Sequence, residues 1–374
     1  MPAPAANMPL ERGWSWRPFK SSAVFAMIKT TDKIRTLVKL FADNRQPKVF
    51  SFHDCLPDVF SRYIELLVAK RFRVVGGEEL WGRTYLAPKK RREVVLTFDD
   101  GRRNCWTVIF PLLKRYKVKA VLFVIPERVR DTDEVLPNLE DYWNGKTGWE
   151  NLYQSHRREP YLTWRELAIM RASGFVDVCS HGLCHEVVFA SARLHDFQHP
   201  GVYEMPVYFD EWFQAGQPSP ETSWGAPIYE RCWAPLVQNI YVPPDETGRA
   251  MNDYIKAQGG FLFFRKKKWR ALLRRHYEGL TRKEVGGTYK KNPTRENLVD
   301  SVSMSKRLIE SRLKSPCPGF ALPLYQDAPS LEDALHQAGY RLAFGGPFAD
   351  HARYKKVPIL NRLPGFWLRF LSYF

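Results

Sequence analysis

The run Val94-Val95-Leu96-Thr97-Phe98 is largely apolar and rich in β-branched residues, and it ends on two adjacent carboxylates and a glycine, Asp99-Asp100-Gly101. A run of this kind predicts a buried strand that delivers its carboxylates into a turn. Similar short runs lie at 48–52, 72–75, 120–124 and 175–179, with helical patterns at 58–69 and 107–116 between them. Strand alternating with helix predicts an α/β fold with a parallel sheet. In a parallel barrel the chemistry gathers just after the strands. Asp99 and Asp100 sit there, and so does His181, which follows the 175–179 run.

That second run leads into Ser180-His181-Gly182-Leu183-Cys184-His185. One Asp and two His are enough ligands for a catalytic metal that keeps an open position for water. The i, i+4 spacing of the histidines puts both imidazoles on one face if the turn is helical. Asp100, His181 and His185 are therefore the expected ligands. Asp99 is the expected general base, with a usefulness that depends on how far burial offsets the nearby positive charge.

Thr97-Phe98-Asp99-Asp100-Gly101 and Ser180-His181 with His185 resemble the first two motifs of the polysaccharide deacetylase family, the NodB-homology or carbohydrate esterase 4 group. The flanks at 161–167 and 170–175 resemble the helix before the second motif, and 295–313 with 319–325 resembles the third motif's helix and strand. The resemblance covers roughly 48–186 and 292–362. It implies a distorted (β/α) barrel and removal of an N-acetyl, in preference to an O-acetyl, group from a carbohydrate. It gives the first Asp as base and the second as ligand, and favours zinc, with cobalt or nickel also accepted by such a donor set. It further implies a backbone oxyanion donor near Leu324 and Tyr325, and a site role for His53 after the first strand. The general acid of the fifth motif has no recognisable counterpart, because 357–362 ends in Asn361-Arg362; Arg362 is a candidate to orient Asp99.

Residues 187–291 depart from the family pattern. They are rich in Trp, Tyr and Pro, and are expected to form an inserted cap whose aromatic-proline loops, with Trp224 among them, suit a sugar-binding wall. A basic helix is expected at 263–277, where a solvated face, an anionic-lipid contact and a phosphate contact compete. No nucleic-acid motif accompanies the charge, which argues against nucleic acid. Residues 1–47 read as an extension with an amphipathic helix carrying Ile34, Leu37, Leu40 and Phe41. Residues 363–374 form an aromatic, basic tail, suited to packing on the barrel or to a membrane interface.

The net charge of +17 over 374 residues favours anionic partners. The six cysteines include no C-x-x-C pair, so free buried thiols are expected rather than a structural zinc site. Residues 1–20 contain no apolar h-region, and a cytoplasmic enzyme is expected, peripheral at most to the inner membrane surface. The expected substrate is then a nucleotide- or polyprenyl-phosphate-linked acetylated sugar in glycan biosynthesis. The alternatives are a hydrolase of a non-sugar amide or imide, and a silent carbohydrate-binding protein on the same scaffold.

Overall fold

A computed structural model describes residues 40–41, 46–82, 92–152, 159–200, 223–280, 286–293, 298–349 and 351–373. The chain divides into two units, Met1–Asp43 and Asn44–Phe374. Of the first, only Leu40 and Phe41 are described, both helical. Ile34 and Leu37, the other half of the expected amphipathic helix, lie outside the described residues.

The second unit is built on eight strands: β1 (Lys48–Phe52), β2 (Arg73–Val74), β3 (Glu93–Phe98), β4 (Ala120–Val124), β5 (Val176–Ser180), β10 (Gly319–Ala321), β11 (Leu342–Gly345) and β12 (Ile359–Pro364). Every pairing among them is parallel. Their order is β1-β12-β11-β10-β5-β4-β3-β2, and β1 also pairs with β3. The ring therefore closes on seven strands and leaves β2 outside. This is the distorted (β/α) barrel expected from the sequence. The strands β1, β3, β4 and β5 are buried at every position, which is why they read as mostly apolar runs and not as a regular apolar-polar alternation.

Helix α1 (Pro57–Ala69) opens on a proline at its first turn and buries Phe60, Ile64 and Leu67 at helical spacing. Helix α2 (Phe110–Tyr116) is shorter than the helix expected at 107–116. The turn before it, Cys105–Ile109, is wound as a π-helix and wholly buried. Helix α3 (Trp164–Ala172) starts in a capping box. Glu166 donates its backbone N–H to Thr163 Oγ1 (3.1 Å), and Thr163 N–H returns a bond to Glu166 Oε2 (2.9 Å).

The described part of the stretch expected as aromatic-proline loops is ordered instead around two two-stranded antiparallel sheets. Strand β6 (Val187–Phe197) pairs antiparallel with β7 (Pro227–Trp233), and β8 (Asn239–Val242) with β9 (Thr288–Lys291). Helices α4 (Asp245–Ala257) and α5 (Trp269–Glu278) complete it. Phe197, Met251, Ile255, Phe263 and Leu273 give it a core of its own. The basic helix expected at 263–277 is interrupted: a 3₁₀ turn, Gly260–Arg265, precedes α5, and Lys266 leaves it with extended backbone. Helix α6 (Leu298–Leu313) returns the chain to the barrel. The end of the chain winds as a 3₁₀ helix, Gly365–Tyr373, with Leu368 and Leu371 fully buried. Lys70 Nζ donates to the Ser372 carbonyl at 2.5 Å, so the tail packs on α1 and holds its apolar side against protein.

Candidate active site

Parallel strands put all their C-terminal ends on one rim, and the site is assembled there. At the end of β3, Asp99 still donates its N–H to the Phe52 carbonyl of β1 (2.8 Å). The chain then turns through two left-handed residues, Asp100 (φ 70°) and Gly101 (φ 70°). A side chain on Gly101 would bring its Cβ to 3.2 Å from Val124 Cγ1 of the neighbouring strand. The glycine is thus required by both conformation and space. Asp100 accepts the strained region as Asp does more readily than most residues, and the result is two carboxylates buried side by side.

The second loop leaves β5 with His181 N–H donating to the Val124 carbonyl (2.8 Å). His181 Nδ1 lies 3.0 Å from the Ala321 carbonyl; a carbonyl only accepts, so Nδ1 carries the proton and Nε2 presents a lone pair. Nε2 points at Asp100 Oδ1 (3.6 Å) and Asp99 Oδ2 (3.9 Å). The turn between the histidines is not helical. Gly182 (φ 85°) and His185 (φ 54°) are left-handed, and it is this tight loop that brings the two rings to 4.9 Å between centroids. Ligand atoms of Asp100, His181 and His185 all lie within 4.8 Å of one another. Desolvation pushes both imidazoles down to about 4, so both are neutral near pH 7 and able to ligate a cation.

Arg362 of β12 is fully buried and donates from Nη1 to both oxygens of Asp99, at 2.6 and 2.8 Å. Burial alone would raise the Asp99 carboxyl. The charge of Arg362, then those of His181 and His53, and the Arg362 hydrogen bonds outweigh it and hold the carboxyl below its ordinary range. The guanidinium also lies over the rings of Tyr325 (4.9 Å) and Phe123 (5.6 Å). The Tyr325 hydroxyl hydrogen-bonds Ser51 Oγ on β1.

Residues 87–202 match the family model described as Polysaccharide deacetylase, and they contain both motifs of this rim. That segment, and not the whole chain, is similar to the polysaccharide deacetylase family. Among solved structures, the chain is similar to a de-N-acetylase from Aggregatibacter actinomycetemcomitans (17% identity, 85% of this chain and 95% of that one, TM-score 0.47). It is also similar to IcaB from Ammonifex degensii (17%, 87% and 95%, TM-score 0.46). A third is the BpsB deacetylase domain from Bordetella bronchiseptica (15%, 86% and 97%, TM-score 0.46). No curated protein matches the chain.

The remaining residues expected at the site fall into two groups. His53 stands at the rim, its Nε2 3.7 Å from Asp100 Oδ2. Leu324 and Tyr325 lie in the turn after β10, both left-handed (φ 53° and 57°). The Tyr325 amide donates to the Leu322 carbonyl (3.1 Å), which leaves Leu324 as the backbone donor to consider there. The Tyr325 side chain backs Arg362 and Ser51, so its contacts are those of a support for Asp99. Trp224 is placed elsewhere: it packs on Phe264 (5.8 Å) and Phe261 (6.0 Å) at the edge of the cap's own core. The aromatic residue that the cap does bring to the histidine loop is Trp233, whose ring would meet a Cβ on Gly182 at 3.2 Å and lies 6.0 Å from Phe320. Gln326 holds it there, accepting from Trp233 N–H at 2.6 Å and donating to the Arg231 carbonyl at 2.8 Å.

Two supports of the deacetylase rim went unread in the sequence. Arg103, immediately after the carboxylate turn, is fully buried and ion-paired to Glu166 of the α3 capping box. Ser180 Oγ and Ser305 Oγ of α6 share a hydrogen bond (2.6 Å), and Ser305 donates to the Gly182 carbonyl (3.2 Å). The Thr163-x-x-Glu166 pattern signals the cap; no local pattern signals its partner Arg103.

Proposed function

We propose that this chain is a metal-dependent hydrolase that removes an N-acetyl, in preference to an O-acetyl, group from a carbohydrate. The observation that carries the reading is the cluster of Asp100, His181 and His185 within 4.8 Å, beside a second carboxylate held by a buried arginine. Two neutral imidazoles and a carboxylate are a donor set that fits a divalent ion, zinc first, with cobalt or nickel acceptable. When bound, such an ion supplies Lewis acidity, lowering the pKa of water to about 7 and polarising a carbonyl.

The chain's own groups do the rest. His181 is fixed in one tautomer by the Ala321 carbonyl, so its Nε2 needs no reorientation to ligate. Asp99 is ionised at neutral pH and accepts a proton from water at a carboxylate oxygen. A carboxylate held this low is a weak base, and an ion held by Asp100, His181 and His185 would supply the acidification that such a base needs. Arg362 keeps both its oxygens in place through the transfer. The Leu324 amide is assigned to the developing oxyanion and His53 to a polar substrate contact at the rim.

For the substrate we infer a sugar linked to a nucleotide or polyprenyl phosphate, handled in glycan biosynthesis on the cytoplasmic side, with peripheral contact to an anionic membrane. The net charge of +17 and six cysteines that are all free thiols support this placement. Among the described residues no helix is long and apolar enough to cross a membrane. The test is acetate release from protein purified without chelator, with metal content measured alongside. Acetate from a nucleotide-linked N-acetylhexosamine, lost with a chelator and restored by zinc, is the expected outcome. Strong release from chitin oligomers with none from the phosphate-linked sugar would overturn the substrate assignment.

A further inference from the structure

The turn between α4 and α5 carries two features that water alone does not favour. Gly259 (φ 98°) and Gly260 (φ 58°) reverse the chain into the 3₁₀ turn Gly260–Arg265. Phe263 is fully buried in the cap core, packed against Tyr254 (5.8 Å) and Phe264 (5.5 Å). With that anchor set, the two residues before it face outward: Phe261 is 49% exposed and Leu262 59% exposed. Directly after them come Arg265, Lys266, Lys267 and Lys268, all exposed, and then Arg270, Arg274 and Arg275 on α5. The sequence has no acidic residue between Gly259 and Tyr277. Arg270 is occupied by Asp196 (3.0 Å), and Lys266 reaches Gln258 Oε1 (3.0 Å), tying the turn to β6 and to the end of α4.

We propose that this tip, Gly259 to Lys268, is a docking element for the surface of an anionic lipid bilayer. An aromatic and an aliphatic side chain projecting beside four consecutive cations match a surface that is charged outside and apolar just beneath. A polyanion without an apolar layer, such as RNA, would use the cations and leave Phe261 and Leu262 in water. The cap core fastens the tip to β6 and α4, and β7 places Trp233 against Gly182 of the histidine loop. Docking would therefore act through the same cap that borders the candidate active site. This deepens the membrane contact proposed above and rests on that reading for its purpose, but it is measured by partition alone, apart from turnover.

The experiment is co-sedimentation of the full chain with vesicles of phosphatidylcholine, and with vesicles of phosphatidylcholine and phosphatidylglycerol in equal amounts. The chain should partition to the mixed vesicles and stay in solution with phosphatidylcholine alone. Lys266→Ala, Lys267→Ala and Lys268→Ala together should weaken partition about a hundredfold, from about fivefold per charge. Phe261→Ser with Leu262→Ser should weaken it by at least about tenfold. All five side chains are exposed, so the variants should still fold; Lys266 gives up Gln258 and Phe261 its contact with Trp224, so a thermal melt is run on each variant and the midpoint should fall only slightly. Equal partition to both vesicle types, no partition to either, or undiminished partition of the Phe261→Ser, Leu262→Ser variant would overturn the proposal. In the last case, with RNA displacing the vesicles, the tip would be a simple polyanion surface.

Discussion

Asp99 and Arg362 form the most consequential pair in the molecule, because both are buried and the guanidinium keeps the carboxyl ionised. The carboxyl is pulled in opposite directions by desolvation and by the guanidinium, and the guanidinium prevails. Arg362→Met should leave an uncompensated buried carboxylate and cost about 3–5 kcal/mol of stability. The Asp99→Asn change in that background should recover part of the loss, and a double-mutant cycle of thermal midpoints or urea transitions reads the coupling. Asp99→Asn alone should keep the metal ligands intact and lower kcat by at least about a hundredfold. Metal content with acetate release checks it, and retained turnover would refute the base assignment. The pairing partner was legible only as a guess, since Arg362 stands far from Asp99 in sequence and meets it only because β12 closes the ring onto β1. Trp224 shows the opposite limit. Its residue type suits a sugar wall, but residue type does not reveal which face of a cap a side chain takes, and its neighbours are cap core.

At the scale of elements, the strands were readable because burial on both sides leaves a sequence no choice but continuous apolar residues. The bounds expected for β1 and β4 coincide with those observed. The basic stretch at 263–277 was not, because its cations fit helical spacing while Gly259 and Gly260 act just upstream of it. Strand β6 was missed for a related reason. Val187-Val188-Phe189 is a strand signal, but the remainder of this long, bulged strand is half exposed and mixes polar with apolar residues. The histidine loop is where local conformation matters most. Its spacing suggested a helical turn, and the loop instead depends on Gly182 at φ 85° under the Trp233 ring. Gly182→Ala should therefore cost about 1–3 kcal/mol from backbone strain, with the Trp233 contact adding to it. It should also lower metal content, because His181 and His185 flank the strained residue. A thermal melt and metal analysis on the same sample test both halves, and an alanine variant with full metal content would show that the loop tolerates the change.

For the molecule as a whole, the barrel and its rim follow from short-range patterns, while the use to which they are put depends on charge spread over the surface. The excess of 57 Lys and Arg over 40 Asp and Glu makes a long-range field that attracts anions. A substrate carrying phosphates would be steered by that field, and a neutral oligosaccharide would not. Exposed charges are screened over about 10 Å at 0.1 M salt. Raising the salt from low to physiological levels should thus depress kcat/KM for a phosphate-linked acetylated sugar and leave kcat nearly unchanged, because chemistry at the buried carboxylate pair lies inside the protein. With a neutral N-acetylated oligomer of the same sugar, kcat/KM should hold steady over the same range. The comparison separates the carrier from the sugar without knowing either in advance. An equal salt response for both substrates would remove phosphate recognition from the account, and would return the positive charge to the membrane surface alone.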